Sequence, residues 1–357
     1  MRFNWPEKEE AQKLIDRYLE GERETLCKEI GCKPRTLREA MFNRYGVRAS
    51  KKDVSVGEPP EEVIVNVPPI KIREYKPHKK GKGDPETQVL LLGDHHAGEV
   101  TSTYNSNVYK KRLQKIFEYT LLITDLHRNM YPVNDLVVVM LGDMVHGENP
   151  YQGAKIGSAD RGALDQVYEL AFPELLSSLC SFRENFRRVR VYCVWGNHGR
   201  VSRESPRTSN WDNMLYKALL KAEKPDGIEV YPPTDFCQQF TIGGFKFFAY
   251  HGDQIQAHSG IPYFAQRRKL MNWYATFGGF SYAIQGHFHE DDLIRVSSRT
   301  KGFINGALVT DDPFALERIG TSGIPCQWTF GVHERRGVTW AYNLTLDDAF
   351  LPLKENK

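Results

Sequence analysis

From residue 88 onward, short aliphatic runs alternate with longer amphipathic stretches. The runs are VLLL from Val89, LVVVML from Leu136, VRVYCVW from Val189, FKFFAY from Phe245, SYAI from Ser281 and FINGALV from Phe303. Between them, residues 109–128, 164–187, 211–222 and 264–276 read as helices. Continuous apolar strands are covered on both faces, and strands that alternate with helices predict an α/β fold. Residues 311–337, rich in Gly, Pro and aromatic side chains, read as a loop at the domain's edge. There is no internal repeat and no low-complexity segment.

Before residue 88 the pattern differs. Residues 9–21 carry Ala11, Leu14, Ile15, Tyr18 and Leu19 at helical spacing. Leu26, Cys27 and Ile30 form a second short apolar face, which Gly31 is placed to end because Gly readily takes the left-handed conformation. Pro34 is placed to open a third helix through Leu37, Ala40 and Met41 to Gly46. Helix, Gly-containing turn, helix is the helix-turn-helix arrangement. Its second helix is expected to show Arg35, Thr36, Arg38, Asn43 and Arg44, side chains able to reach phosphates and base edges. Small three-helix units also serve as protein-docking modules, and both readings stay open. Residues 50–86 read as a Pro- and Lys-rich linker, broken by Pro59, Pro60, Pro68, Pro69, Pro77 and Pro85, with EEVIVNV as one edge strand. The expected division is a helical domain at 1–49, the linker at 50–86 and a catalytic domain at 87–357.

Composition narrows the class. A chain of 357 residues has room for one large domain and a smaller one. No apolar run is long enough to cross a membrane, and MRFNWPEKEE has no signal-peptide core. The six Cys show no C-x-x-C spacing, which argues against a structural zinc site or a disulfide framework. Cys193, inside an apolar run, reads as a buried free thiol. A reducing cytoplasm is the expected compartment. The net charge is only +3, but residues 23–52 hold nine Lys/Arg against three Glu. That segment is either a footprint for a polyanion or a solvated helical face.

The chemistry lies where the runs stop. They end in GDHH (Gly93 to His96), GDMVH (Gly142 to His146), GNHGR (Gly196 to Arg200), HGD (His251 to Asp253) and GHFH (Gly286 to His289). A single Asp after a strand is usually a cap or turn residue, and a single His is usually a hydrogen-bonded core or surface group. Five strand ends that all deliver Asp, Asn or His point to a shared metal site, because ligands bind beyond the carboxyl ends of strands in such sheets. Carboxylate, imidazole and amide donors without thiolate suit divalent ions such as Mn²⁺, Fe²⁺, Zn²⁺ or Mg²⁺, with Mn²⁺ the expected one. Side chains two apart in an extended segment share a face, so D-x-H and H-x-H can each offer two donors to one cavity. About seven donors exceed what one ion needs, and a two-ion centre is the economical reading.

In this order the motifs resemble those of the calcineurin-like metallophosphoesterase superfamily: D-x-H, G-D-x-x-D/H, G-N-H-D/E, H and G-H-x-H. The resemblance covers roughly residues 88–346. It implies a four-layer α/β/β/α sandwich with a dinuclear centre between two mixed sheets. It implies one ion held by Asp94, His96, Asp143 and His289, and a second held by Asp143, Asn197, His251 and His287, with Asp143 bridging. It also implies that His198 contacts the phosphate and assists the leaving oxygen, a task suited to a group whose ordinary pKa lies near neutrality. Two positions depart from the common pattern. His146 stands where many phosphatases have Asp, as in the DNA repair nucleases of the SbcD type. Gly199 stands where an acidic residue usually orients the catalytic His; Asp253 or a backbone carbonyl is the candidate substitute.

Three features then favour DNA as substrate: His146, the helix-turn-helix-like unit, and the Arg200, Arg203 and Arg207 series in GRVSRESPRTSN. Arg suits bidentate phosphate contact, although loops of this kind are often only solvated. Tyr151, Lys155 and Arg161, and then Tyr263, Arg267 and Arg268, are candidates for two further cleft walls. The expected function is a metal-dependent DNA phosphodiesterase, an exonuclease or structure-selective nuclease in a prokaryotic or phage setting. The alternative is a phosphomonoesterase or cyclic-nucleotide phosphodiesterase whose N-terminal unit docks a protein. No membrane partner is expected.

Overall fold

Alternation inside the apolar runs decides the layering. The computed structural model describes residues 11–20, 22–45, 83–148, 158–202, 204–255, 263–311 and 323–347. Strand β1 (Glu86–Leu92) sends Val89 and Leu91 into one core, and Leu90 and Leu92 into another. Strand β2 (Val133–Met140) divides in the same way, with Val137 and Val139 on the first side and Leu136, Val138 and Met140 on the second. Because successive side chains face opposite ways, an unbroken apolar run is a strand covered on both sides.

The remaining strands are β3 (Arg188–Cys193), β4 (Ile228–Tyr231), β5 (Cys237–Ile242), β6 (Phe245–Tyr250), β7 (Tyr282–Gln285), β8 (Asp292–Arg295), β9 (Lys301–Ile304), β10 (Cys326–His333) and β11 (Gly337–Thr345). One sheet runs β11-β10-β1-β2-β3-β4, parallel from β1 to β4 and antiparallel at β10 and β11. The other runs β5-β6-β7-β9-β8, with parallel pairs at its centre and antiparallel pairs at its edges.

Between the sheets lie Val89, Val137, Phe247, Ile284, Phe303 and Phe330, among others. The outer face of the first sheet packs on helices α4 (Ser106–Arg128), α6 (Phe172–Asn185) and α7 (Trp211–Lys221). The outer face of the second packs on α8 (Tyr263–Thr276) through Leu270. The order is helix, sheet, sheet, helix, the four-layer sandwich expected. Phe330, fully buried, stacks on Phe303 with ring centroids 4.6 Å apart. Phe330→Ala is expected to cost about 3–5 kcal/mol, the usual loss for a buried aromatic cut to a methyl. The midpoint of denaturant unfolding checks this.

Several elements depart from the sequence reading. Residues 311–337 are not simply an edge loop: within them β10 lies inside the first sheet, beside β1. Its sequence, CQWTFGVH, hides the strand by placing Gln327 and Thr329 in the core and Gly331 beneath the Trp340 ring. The FINGALV run leaves the sheet after Ile304, where Asn305 turns to accept a hydrogen bond from the Trp328 backbone N–H at 2.9 Å. The helix expected over 164–187 is interrupted. A short α5 (Ala163–Asp165) passes into a π-helical turn, Gln166–Ala171, before α6 begins.

By its contacts the chain divides into two compact units, Met1–Lys71 and Ile72–Lys357. The first holds α1 (Gln12–Leu19), α2 (Arg23–Ile30) and α3 (Pro34–Tyr45) around a small core of Ile15, Tyr18, Leu26, Leu37 and Met41. Gly31 does end α2 in the left-handed conformation, with φ 68°. Arg17 ties α1 to α2 through a two-pronged bond to Glu29 at 2.9 and 3.0 Å. The side chains of Arg35, Arg38, Asn43 and Arg44, and the linker strand EEVIVNV, lie outside the described residues. Among the described residues, no helix is long and apolar enough to cross a membrane.

Candidate metal centre

Strands β1, β2, β3, β6 and β7 each end at a motif loop. In these loops Asp94, His96, Asp143, His287 and His289 have φ of 52°, 46°, 51°, 76° and 59°. Residues other than Gly rarely adopt that region, and each instance costs about 1–3 kcal/mol. Five such residues, all candidate ligands, mean that the surrounding packing holds them there against local preference.

The candidate ligands fall into two groups, and a third cluster of possible donors, His96, His146 and His198, lies beside them. Asp94, His96 and His289 place ligand atoms within 4.8 Å of one another, and so do Asp143, His251 and His287. His96 Nε2 lies 3.2 Å from His289 Nε2, which is 3.7 Å from Asp94 Oδ1. His251 Nε2 lies 3.0 Å from Asp143 Oδ2 and 2.9 Å from Asn197 Oδ1. The other nitrogen of His251, Nδ1, faces the Leu141 carbonyl at 2.8 Å, which turns Nε2 toward the site. Asp143 belongs to the second group by distance, yet its carboxylate also senses the charge of His96 in the first. All seven candidate ligands therefore converge.

The unsatisfied atoms test whether cations fit. Asp94 Oδ2 accepts the His287 N–H at 2.8 Å, and Asp143 Oδ1 accepts the His198 N–H at 2.7 Å. The second oxygens, Asp94 Oδ1 and Asp143 Oδ2, are buried and face only ring nitrogens of other candidate ligands, His289 Nε2 at 3.7 Å and His251 Nε2 at 3.0 Å. Buried carboxylate oxygens without donors are costly unless a charge partner meets them. Burial, with Asp143 nearby, pushes the Asp94 carboxyl up to about 7. Burial opposes a proton on His251, yet Asp143 and Asp94 draw it up to about 10. Burial holds His287 and His289 down to about 3, so both offer neutral lone pairs. Carboxylate oxygens and imidazole nitrogens crowded together in a buried site, with no other partners for their lone pairs, are a donor set for divalent cations.

Three supporting residues went unseen in the sequence. Asp212, buried in the first turn of α7, accepts the backbone N–H groups of Asp143 at 2.9 Å, Met144 at 3.0 Å and Gly196 at 2.9 Å. It clamps the second and third motif loops together. Gln166, in the π-helical turn, accepts from the Gly147 N–H at 2.7 Å and donates to the Gly147 carbonyl at 3.2 Å, pinning the chain after His146. Glu99 lies between His96 and His146. An acidic residue at a helix start reads as a cap, and a lone Gln or Glu gives no signal at all.

His198 packs edge-on to His96, with ring centroids 4.3 Å apart, and 5.5 Å from His146. Burial, with His96 nearby, holds His198 well below the usual imidazole range. Gly199 abuts Asn210, whose side chain caps α7 by accepting from the Asp212 N–H at 2.8 Å. A side chain at position 199 would collide with that cap, which accounts for the missing acidic residue. Asp253, the candidate substitute, is taken up by Arg200 and Gln254.

Arg200 and Arg207 line a cavity of about 220 Å³ with Trp195, Asn210 and Asp253. Two other candidates are held elsewhere: Arg161 pairs with Asp160 at 3.0 Å, and Arg267 donates to the Val296 carbonyl at 3.1 Å. Arg268 lines a second, open cavity with Asp253 and Phe264, and Tyr263 is exposed at the start of α8. Arg203, Tyr151 and Lys155 lie outside the described residues.

One glycine is sterically committed. A Cβ at Gly286 would overlap Asp94 Oδ2. Gly286→Ala is expected to displace that carboxylate and weaken metal binding by at least about 10–100-fold, the scale of damage to a ligand's support. Metal content after equilibrium dialysis checks it.

Four layers with paired carboxylate–imidazole clusters at the strand ends define a metallophosphoesterase. Residues 87–291 match the calcineurin-like phosphoesterase family, and the chain belongs to it. A comparison with curated proteins finds no match. Similar solved structures include Vps29 from Entamoeba histolytica complexed with Zn²⁺, at 13% identity over 73% of this chain and 99% of that one, with a TM-score of 0.33. A predicted phosphoesterase from Streptococcus pneumoniae TIGR4 shares 10% identity over 74% of this chain and 99% of its own, with a TM-score of 0.32. A 5'-nucleotidase from Candida albicans SC5314 shares 12% over 76% of this chain and 53% of its own, with a TM-score of 0.33.

Proposed function

We propose that the protein is a metal-dependent phosphodiesterase that hydrolyses DNA, as an exonuclease or structure-selective nuclease similar to the SbcD type. The observation that carries this reading is His146, an imidazole outside the seven candidate ligands, whose ring stands 5.5 Å from that of His198. The family's phosphatases commonly carry Asp at this position. Two adjacent imidazoles give the cleft two groups able to hold or pass a proton at a phosphodiester, which has two ester oxygens to manage.

Asp94, His96, Asp143, Asn197, His251, His287 and His289 would hold a pair of divalent ions, with Mn²⁺ proposed. When bound, such a pair polarises phosphoryl oxygens and activates water near neutral pH. The chain's own residues do the rest. His198 sits beside the ligands as a neutral ring whose N–H stabilises the leaving oxygen by a hydrogen bond. Arg200 and Arg207, at the rim, hold flanking phosphates. The three-helix unit, with its basic third helix, adds affinity for the duplex.

Turnover on an oligonucleotide, bis(p-nitrophenyl) phosphate and p-nitrophenyl phosphate, measured side by side with Mn²⁺, tests this reading. The oligonucleotide and the diester should exceed the monoester in kcat/KM. A monoester hydrolysed fastest would move the protein to the small-substrate phosphatases.

A further inference from the structure

We infer that Glu99 is a positioning residue that sets the tautomers of His96 and His146 together, so that each ring presents Nε2 to the cleft. The inference rests on the reading of His146 as a group that acts on the phosphodiester. One carboxylate oxygen, Glu99 Oε2, lies 3.2 Å from His96 Nδ1 and 3.0 Å from His146 Nδ1. The side chain is almost fully buried, and its loop is fixed. The Glu99 N–H donates to the His96 carbonyl at 2.9 Å, and Glu99 pairs with Ala159 in an isolated β-bridge.

A carboxylate only accepts hydrogen bonds, so a neutral ring that turns Nδ1 to it carries its proton there. A neutral imidazole with Nδ1–H has its lone pair on Nε2. For His96 that atom is the one beside His289 Nε2 and Asp94 in the first donor group. Carboxylates behind metal-binding imidazoles do this generally. Here the same oxygen faces a second ring outside the seven candidate ligands. His146 Nε2 then becomes an acceptor, and Ser158 Oγ, 3.1 Å away, becomes its donor until substrate arrives. Glu99 thus makes His146 a proton acceptor at Nε2 and links its orientation to that of a metal ligand.

Long-range ¹H–¹⁵N correlation spectra of the Zn²⁺-loaded protein read the tautomers directly. The expected result is Nδ1–H for both His96 and His146. Glu99→Gln leaves at the Oε2 position either an uncharged amide oxygen, with a weaker hold on both rings, or an NH₂ that accepts from neither, and it should weaken Co²⁺ affinity, followed by its absorption bands, by about 10–100-fold. Glu99→Ala should release both rings. An Nε2–H tautomer for His146 in the wild type would overturn the inference. So would a Glu99→Ala protein whose ring tautomers and Co²⁺ affinity match the wild type. None of these readouts involves DNA, so absence of DNA cleavage bears on the substrate reading alone.

Discussion

Asp143→Asn is expected to lower kcat by about 10³-fold or more, the scale lost when charge stabilisation at a reacting centre is removed. The substitution keeps the shape of the side chain and changes its charge. Asp143 Oδ1 holds the His198 backbone N–H at 2.7 Å, and Oδ2 faces His251 Nε2 at 3.0 Å. Burial works against its charge, yet His251 and His198 keep its carboxyl far below the usual range. An amide can still accept the His198 N–H through its oxygen. Its NH₂ then stands where Oδ2 faced the centre, and it repels a cation. Metal content should therefore fall with activity, while the unfolding midpoint moves little. Elemental analysis of dialysed protein, beside the rate, checks both halves. Full metal content with lost turnover would show that Asp143 acts on the substrate and not on the ions.

His198→Ala is the complementary case. Its expected cost is about 10²–10⁴-fold in kcat, the usual contribution of a positioned acid–base group. KM and metal content should stay within a few-fold of wild type, because the ring is outside both donor groups that hold the candidate ligands of each ion. A loss confined to kcat is the signature of an interaction made only in the transition state. The Asp143 contact is to the His198 backbone, so it survives the substitution.

The two sheets were legible in unequal measure. VLLL and LVVVML announce β1 and β2 because each is apolar on both faces. β10 was hidden because its core positions are polar and satisfied from far along the chain. Gln327 accepts the Gly93 N–H at 2.8 Å, and Thr329 Oγ1 donates to the Val89 carbonyl at 2.9 Å. No local window contains those partners. β4 (IEVY) and β8 (DLIR) are as short as β7 but mix charged with apolar side chains, so no apolar run marks them. The donors of the centre were legible for the opposite reason. Four of the five motifs open with a Gly at the end of an apolar run, and the fifth, His251, follows its run directly. Asp212 and Glu99 were not, since a carboxylate's task depends on which N–H groups the fold brings to it. Asp212 meets Gly196 and Asp143 only after β2, β3 and α7 have packed.

Cleavage of end-labelled single- and double-stranded DNA with Mn²⁺, by wild type and by His198→Ala at equal metal loading, tests the central claim most directly. Shortened products from the wild type, and intact DNA from the variant over the same period, are the predicted result. DNA left intact by a fully metal-loaded wild type that hydrolyses p-nitrophenyl phosphate rapidly would contradict it.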